Sequence, residues 1–256
     1  MKNLFRKDYI SIFIFLVMKR GKKGTHVGVI LSFVIFMTFI FFIYLITEPA
    51  IKVKNQENSI EYLINNLIEN SSANLTTVSI AITQENPQDC VRLSGFFSAI
   101  GLGNKTIVRN VSDVVQSQID NQDLLIVRNS NTFFKVYESP EFSAAEKGSI
   151  TPCQQLTQGN GYSLGLMKAS DNIFESKVTG LIENHSRDYD DLKRGLKIPQ
   201  GGEFDFSFIY SNGTEIKTSQ NKTIPNNVNI YAKKIPVVYI NNNAAQEAGF
   251  LNVKIW

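Results

Sequence analysis

Cysteine, histidine and tryptophan are scarce in this chain, with two, two and one in 256 residues. Cys90, Cys153 and His185 cannot supply an ordinary closed zinc site unaided, so no metal is expected, nor any other cofactor. Charge is missing altogether from Val27 to Ile46, twenty residues filled mainly by Phe, Ile, Leu and Val. At about 1.5 Å per residue such a run makes roughly 30 Å of helix, the thickness of a bilayer's hydrocarbon core. It predicts one transmembrane helix, whose Ser32 and Thr38 bond back onto its own turns. No repeat of fixed period is present.

The basic pI of 8.7 belongs to the leader alone. Residues 1–24 hold seven Lys and Arg against Asp8, a net +6 within a chain of net +3, which leaves −3 for residues 25–256. The large domain therefore lacks a nucleic-acid binder's electrostatic footprint, and no nucleic-acid partner is expected. Lys and Arg beside a span mark its cytoplasmic side. The expected localisation is the cell membrane, single-pass, with the N-terminus cytoplasmic and residues 47–256 outside. Thr47-Glu48-Pro49-Ala50 follows the apolar run with no A-x-A cleavage pattern, so the helix is expected to stay in the mature protein. Ile10–Val17 covers only about 12 Å as a helix. It is either a cytoplasmic-leaflet segment or lies upstream of a true start at Met18. The domain reading is thus a leader over 1–24, a transmembrane helix over 25–46 and an extracytoplasmic domain over 47–256.

Both cysteines fall outside, where a disulfide persists. A Cys90–Cys153 bridge is predicted, with two buried free thiols as the alternative. N-x-S/T sequons at Asn70, Asn74, Asn104, Asn110, Asn184, Asn212 and Asn221 are candidate glycosylation sites on the same side.

Lys22-Lys23-Gly24 directly before an uncharged helix resembles the class III signal peptide of archaeal type IV pilins and archaellins. Thr25-His26-Val27-Gly28-Val29 is similar to the Gly-containing opening of archaellins. The resemblance implies a membrane peptidase that cuts after Gly24 on the cytoplasmic side and leaves Thr25 as the new N-terminus. The helix would then serve as anchor and filament core, with prepilin peptidase and other pilin-like subunits as partners. Val29 departs from the pattern, since many bacterial pilins carry Glu at that place. An uncleaved signal anchor is the alternative.

Pro49 predicts a kink or interruption. Val53, Ile60, Leu63, Ile64, Leu67 and Ile68 then share one helical face. Asn70–Asn74 stops that helix and Leu75–Thr83 reads as a strand. Cys90–Gly103 reads as irregular or partly helical. Strands are expected at Ile107–Val115 and Asp123–Val127, the latter returning through an Asn129–Asn131 turn into Thr132–Tyr137. Ser139–Gln158 reads as a long loop, and Tyr162–Lys168 with Ile173–Lys177 as a hairpin. A helix at Val178–Leu196 has Val178, Leu181, Ile182, His185, Tyr189, Leu192 and Leu196 inward. Phe204–Tyr210 alternates like a half-buried strand and Asn212-Gly213 turns it into Thr214–Thr218. Val228–Ile240 is a strand whose Pro236 indicates an edge or bulge. Phe250–Trp256 closes the chain, with Leu251, Val253 and Ile255 facing one way. The expected class is α+β, with helices on one face of a largely antiparallel sheet.

Gly161-Tyr162-Ser163-Leu164-Gly165 matches the G-x-S-x-G nucleophile elbow, which requires a strand before the serine, a helix after it and a histidine base. A strand-like run follows instead, and His185 falls on an apolar helix face. Gly101–Thr106 lacks phosphate-loop spacing and reads as a turn. Asp188, Asp190 and Asp191 lack EF-hand spacing and read as a solvated helix face. The leading expectation is a membrane-anchored, non-catalytic cell-surface structural or interaction protein, a pilin-like subunit. A stationary anchored ectodomain that binds a ligand or partner in an envelope complex comes second, and a serine hydrolase third.

Overall fold

The computed structural model describes residues 26–148, 150, 152–198, 201–218, 224–225 and 228–256, with side chains left aside at 49–56. The chain divides into two units, 1–55 and 56–256. Helix α1, His26–Ser71, begins in the first and ends in the second.

In the first unit, His26–Glu48 is the one described segment long and apolar enough to cross a membrane, and its side chains through Thr47 are exposed. Its hydroxyls bond to the preceding turn, Ser32 Oγ to Gly28 O at 2.9 Å and Thr38 Oγ1 to Val34 O at 2.7 Å. Helical winding continues through Pro49, where the sequence predicts a kink or a break, and no break occurs. Proline removes one donor from the ladder and crowds the carbonyl four residues back, a local cost that the helical turns on either side outlast.

In the second unit the last turns of α1 are amphipathic as expected. Ile60, Leu63, Ile64 and Leu67 are buried while Glu61 and Asn65 stay outside. The hydroxyls of Ser71 and Ser72 donate to Ile68 O at 3.0 and 2.7 Å, occupying a carbonyl that the helix end leaves open. Strand β1, Ser72–Ile82, starts at once. It pairs antiparallel with β6 (Phe133–Glu138) on one side and β8 (Gly161–Phe174) on the other. Beyond β6 lies β3 (Thr106–Arg109). Beyond β8 come β11 (Tyr231–Ile240), β12 (Gln246–Ile255), β9 (Phe204–Tyr210) and β10 (Glu215–Lys217). Where β7 (Gln154–Gln158) meets β8 at Thr157 and Gln158, the strand order continues into a smaller sheet layer, β7, β2 (Cys90–Leu93), β5 (Asp123–Val127), β4 (Ser117–Asp120). Helix α2, Phe96–Ile100, follows β2.

Two cores result. In the first, α1, α3 (Glu175–Arg187) and α4 (Tyr189–Gly195) bury Leu63, Leu67, Val178, Ile182 and Tyr189 against Phe204, Phe206 and Phe208 of β9 and Val253 of β12. In the second, Ile80, Phe134 and Val136 of the large sheet meet Val91, Leu93, Leu124 and Ile126 of the small one. The α+β class holds, with helices packed on one half of the largely antiparallel sheet and a second sheet packed on the other.

Several expected elements differ. The hairpin expected from Tyr162–Lys168 and Ile173–Lys177 is not formed. Residues through Phe174 belong to one 14-residue strand, β8, because the turn-forming Ala169–Asn172 pair with Thr76–Ala73 of β1, and Glu175–Lys177 open α3. Asn129 and Ser130 adopt positive φ as turn residues, yet they carry the chain from β5 in one sheet to β6 in the other and close no hairpin. Arg128 stabilises this crossing, its Nε donating to Gln88 O at 2.7 Å. The helix at Val178–Leu196 breaks at Asp188, whose carboxylate accepts from Asp191 N at 3.0 Å and caps α4. The inward stripe survives because Tyr189 and Leu196 stay buried. Strand β3 ends at Arg109, well short of Val115. Strands β2 and β7 stand where irregular chain and loop are expected, each held by its neighbour. Pro236 sits in β11 where only β12 pairs among the described residues, as an edge position requires.

Candidate functional site

Lys22, Lys23, Gly24 and Thr25, the expected processing site, lie outside the described residues, as does Asn221. Cys90 and Cys153 form a disulfide with Cα atoms 4.6 Å apart. They stand one residue before Val91 and Gln154, which pair in the parallel β2–β7 ladder, so the bond extends that ladder. Adjacent strands lie about 4.8 Å apart, so the bridge needs no backbone displacement.

Among the sequon asparagines Asn70, Asn74, Asn104, Asn184 and Asn212 are exposed and Asn110 is half-buried. Asn110 Oδ1 accepts from the backbone N–H of Ser112 and Asp113 at 2.8 and 2.6 Å, and Asn212 Oδ1 from Thr214 N at 2.9 Å. These two side chains already shape turns.

Gly161–Gly165 lies wholly within β8, with Ser163 opposite Ala81 and no helix until Glu175. The strand–turn–helix geometry of a nucleophile elbow is not formed there. His185 is buried in the other core, its ring edge-on to Tyr189, Phe204 and Phe206 and its Nε2 3.3 Å from Phe204 O. The serine and histidine are not brought together. Gly101 closes α2 with a φ of 67°, its N–H donating to Phe97 O at 2.9 Å, which is helix-ending chemistry. Asp188 caps α4 and Asp191 pairs with Arg194 at 3.0 Å. Among the described residues no three His, Cys, Asp or Glu side chains gather as metal ligands would.

Two concave surfaces stand out. One is an apolar cleft of about 480 Å³ lined by Tyr62, Leu63, Ile198, Tyr231, Ile255 and Trp256. The other, about 330 Å³, lies on the face of β6, β1 and β8 that turns away from the second core. Thr77, Ser79, Lys135, Tyr137, Lys168 and Ser170 line it. Burial raises the Tyr137 phenol above its ordinary value, partly opposed by the positive field of Arg109. The sequence reading missed this second surface. Its two lysines come from β6 and β8, on either side of β1, and no local pattern reports that those strands are neighbours. Neither a family model, nor a curated protein, nor a solved structure matches the chain.

Proposed function

We propose that the chain is a single-pass, membrane-anchored cell-surface protein of pilin-like design, non-catalytic, with its N-terminus cytoplasmic and residues 47–256 outside. The observation that carries this reading is the His26–Glu48 segment, an uncovered apolar helix of 23 residues. Exposing so many large apolar side chains to water is unfavourable by roughly 25 cal/mol per Å², whereas a bilayer or a bundle of like helices removes that cost. Two further features support it. The end of α1 lays an apolar stripe on a β-sheet, and a disulfide suits an oxidising compartment.

A filament subunit must also lose its leader, because seven cations would oppose helix packing in an apolar bundle. The test is the intact mass of the wild-type chain and of Gly24→Val from the native host. A mature chain starting at Thr25, with the variant uncut, is the expected result. Retention of Lys22-Lys23-Gly24 in the wild type refutes the filament reading. It leaves a stationary anchored ectodomain, which the apolar cleft at Tyr62 and Trp256 favours.

A further inference from the structure

We propose that the open face of strands β3, β6, β1 and β8 binds an acidic saccharide, one bearing carboxylate or sulfate groups. Strand registers place the side chains. Thr77 of β1 stands between Tyr137 and Lys168, and Ser79 stands beside Lys135. Lys135 stands in turn opposite Arg109 of β3. Side chains directly opposite one another share a face, so Arg109, Lys135, Ser79, Thr77, Tyr137 and Lys168 all point the same way.

Three cations on one sheet face is an unfavourable arrangement. Like charges directly opposite across a strand pair destabilise it, and Arg109 and Lys135 are such a pair. Among the described residues none of the three makes an ion pair with a carboxylate. Arg109 instead donates to the carbonyls of Asn243 and Ser112, each at 2.7 Å, which fixes the guanidinium without neutralising it. The groove lining holds no Asp or Glu. No carboxylate in the groove lining or in ion-pair contact offsets these cations. An anion supplies the missing charge.

The rest of the lining selects a saccharide over a bare ion. Lys135 and Lys168 are separated by two strand spacings and two residues, roughly 12 Å between Cβ atoms, too wide to clamp one small oxyanion without drawing both side chains inward. Between them lie the hydroxyls of Thr77 and Ser79, with Ser170 and Asn172 further along β8. These donors and acceptors match sugar hydroxyls. Leu166, 76% exposed, gives the groove an apolar rim against which a ring's C–H face packs. The volume, about 330 Å³, is at the small end for ligand sites, where bound ligands of a few rings sit. The inference depends on neither the anchor nor leader cleavage.

The test is calorimetric titration of the full chain in a polyoxyethylene-ether detergent, which carries no sugar. The probes are a heparin tetrasaccharide, a tetragalacturonate, neutral maltotetraose, a glutamate tetrapeptide and inorganic sulfate. At least one acidic tetrasaccharide is expected to bind, more weakly at high salt, and the other three probes to bind at least about tenfold more weakly. Lys135→Gln/Lys168→Gln is expected to weaken binding about tenfold or more, the loss of charge-assisted hydrogen bonds, while Lys147→Gln/Lys217→Gln changes it less than about twofold. Both lysines of the first pair are exposed, so the fold is retained, which circular dichroism verifies. No acidic tetrasaccharide binding, equal binding by both variants, or equal affinity for sulfate, glutamate peptide or maltotetraose overturns the proposal.

Discussion

Replacing Cys90 and Cys153 together by alanine tests how the second core is held. The two residues are 63 apart in sequence, and the chain they enclose includes β3, β4, β5 and β6. On the chain-entropy account a loop of that length, left unclosed in the unfolded state, lowers stability by about 4 kcal/mol at 25 °C. For a domain of this size that corresponds to a fall in Tm of roughly 8 to 16 °C. The loss has a location as well as a size. Strands β2 and β7 share only three paired positions, Val91–Leu93 with Gln154–Leu156, and the disulfide continues that short ladder. Amide hydrogens of β2 and β7 should therefore lose protection first, while the β9–β12 pair, which meets over seven positions, keeps its own. Urea titration of the full chain by circular dichroism measures the first effect and hydrogen exchange by mass spectrometry the second. Reductant-treated wild type controls for the side-chain change. An unchanged midpoint in both the variant and the reduced protein refutes the reasoning, as does protection lost first from β9 and β12.

Leu67→Ala removes a side chain that is 1% exposed between α1 and the sheet, and should cost about 2–5 kcal/mol in the same urea titration; a cost below about 1 kcal/mol would mean that α1 does not pack there. Alkaline pH should destabilise the first core. Burial, then the hydrogen bond to Glu175, raises the Tyr210 phenol to about 12, and burial with the bond to Glu247 raises Tyr239 in the same direction. A raised folded-state value means that the stabilisation is complete below the unfolded value of about 10 and is lost as pH rises toward the folded one. Melting temperatures should thus be flat up to about pH 9.5 and fall between about 10 and 12; a flat profile through that window contradicts the assignment. Ser163 lies mid-strand opposite Ala81, so a fluorophosphonate probe is expected to leave the chain unlabelled, and stoichiometric labelling abolished by Ser163→Ala would reverse the non-catalytic reading.

The sequence by itself determined whatever depends on local period. Twenty uncharged, mainly apolar residues gave the expectation of a helix of bilayer length, and His26–Glu48 is helical. The 3.6-residue stripe from Ile60 to Leu67 names its buried face, and the alternation of Phe204, Phe206 and Phe208 names that of β9. Asn212-Gly213 places a hairpin because only a few residue types accept its backbone. The cysteine pairing was legible for a plainer reason, since only two cysteines exist.

Partner choice between distant strands was decided by the tertiary structure alone. A period of two says which face of β1 is buried but not that β8, about ninety residues on, lies beside it. Pairing with β1 turned the turn-like Ala169–Asn172 into strand, and pairing with β2 turned an expected loop into β7. The same long-range registers set Arg109 opposite Lys135 and bring both toward Lys168. Side-chain pattern chooses a face locally, whereas neighbours across a sheet are chosen by the packing of the whole domain.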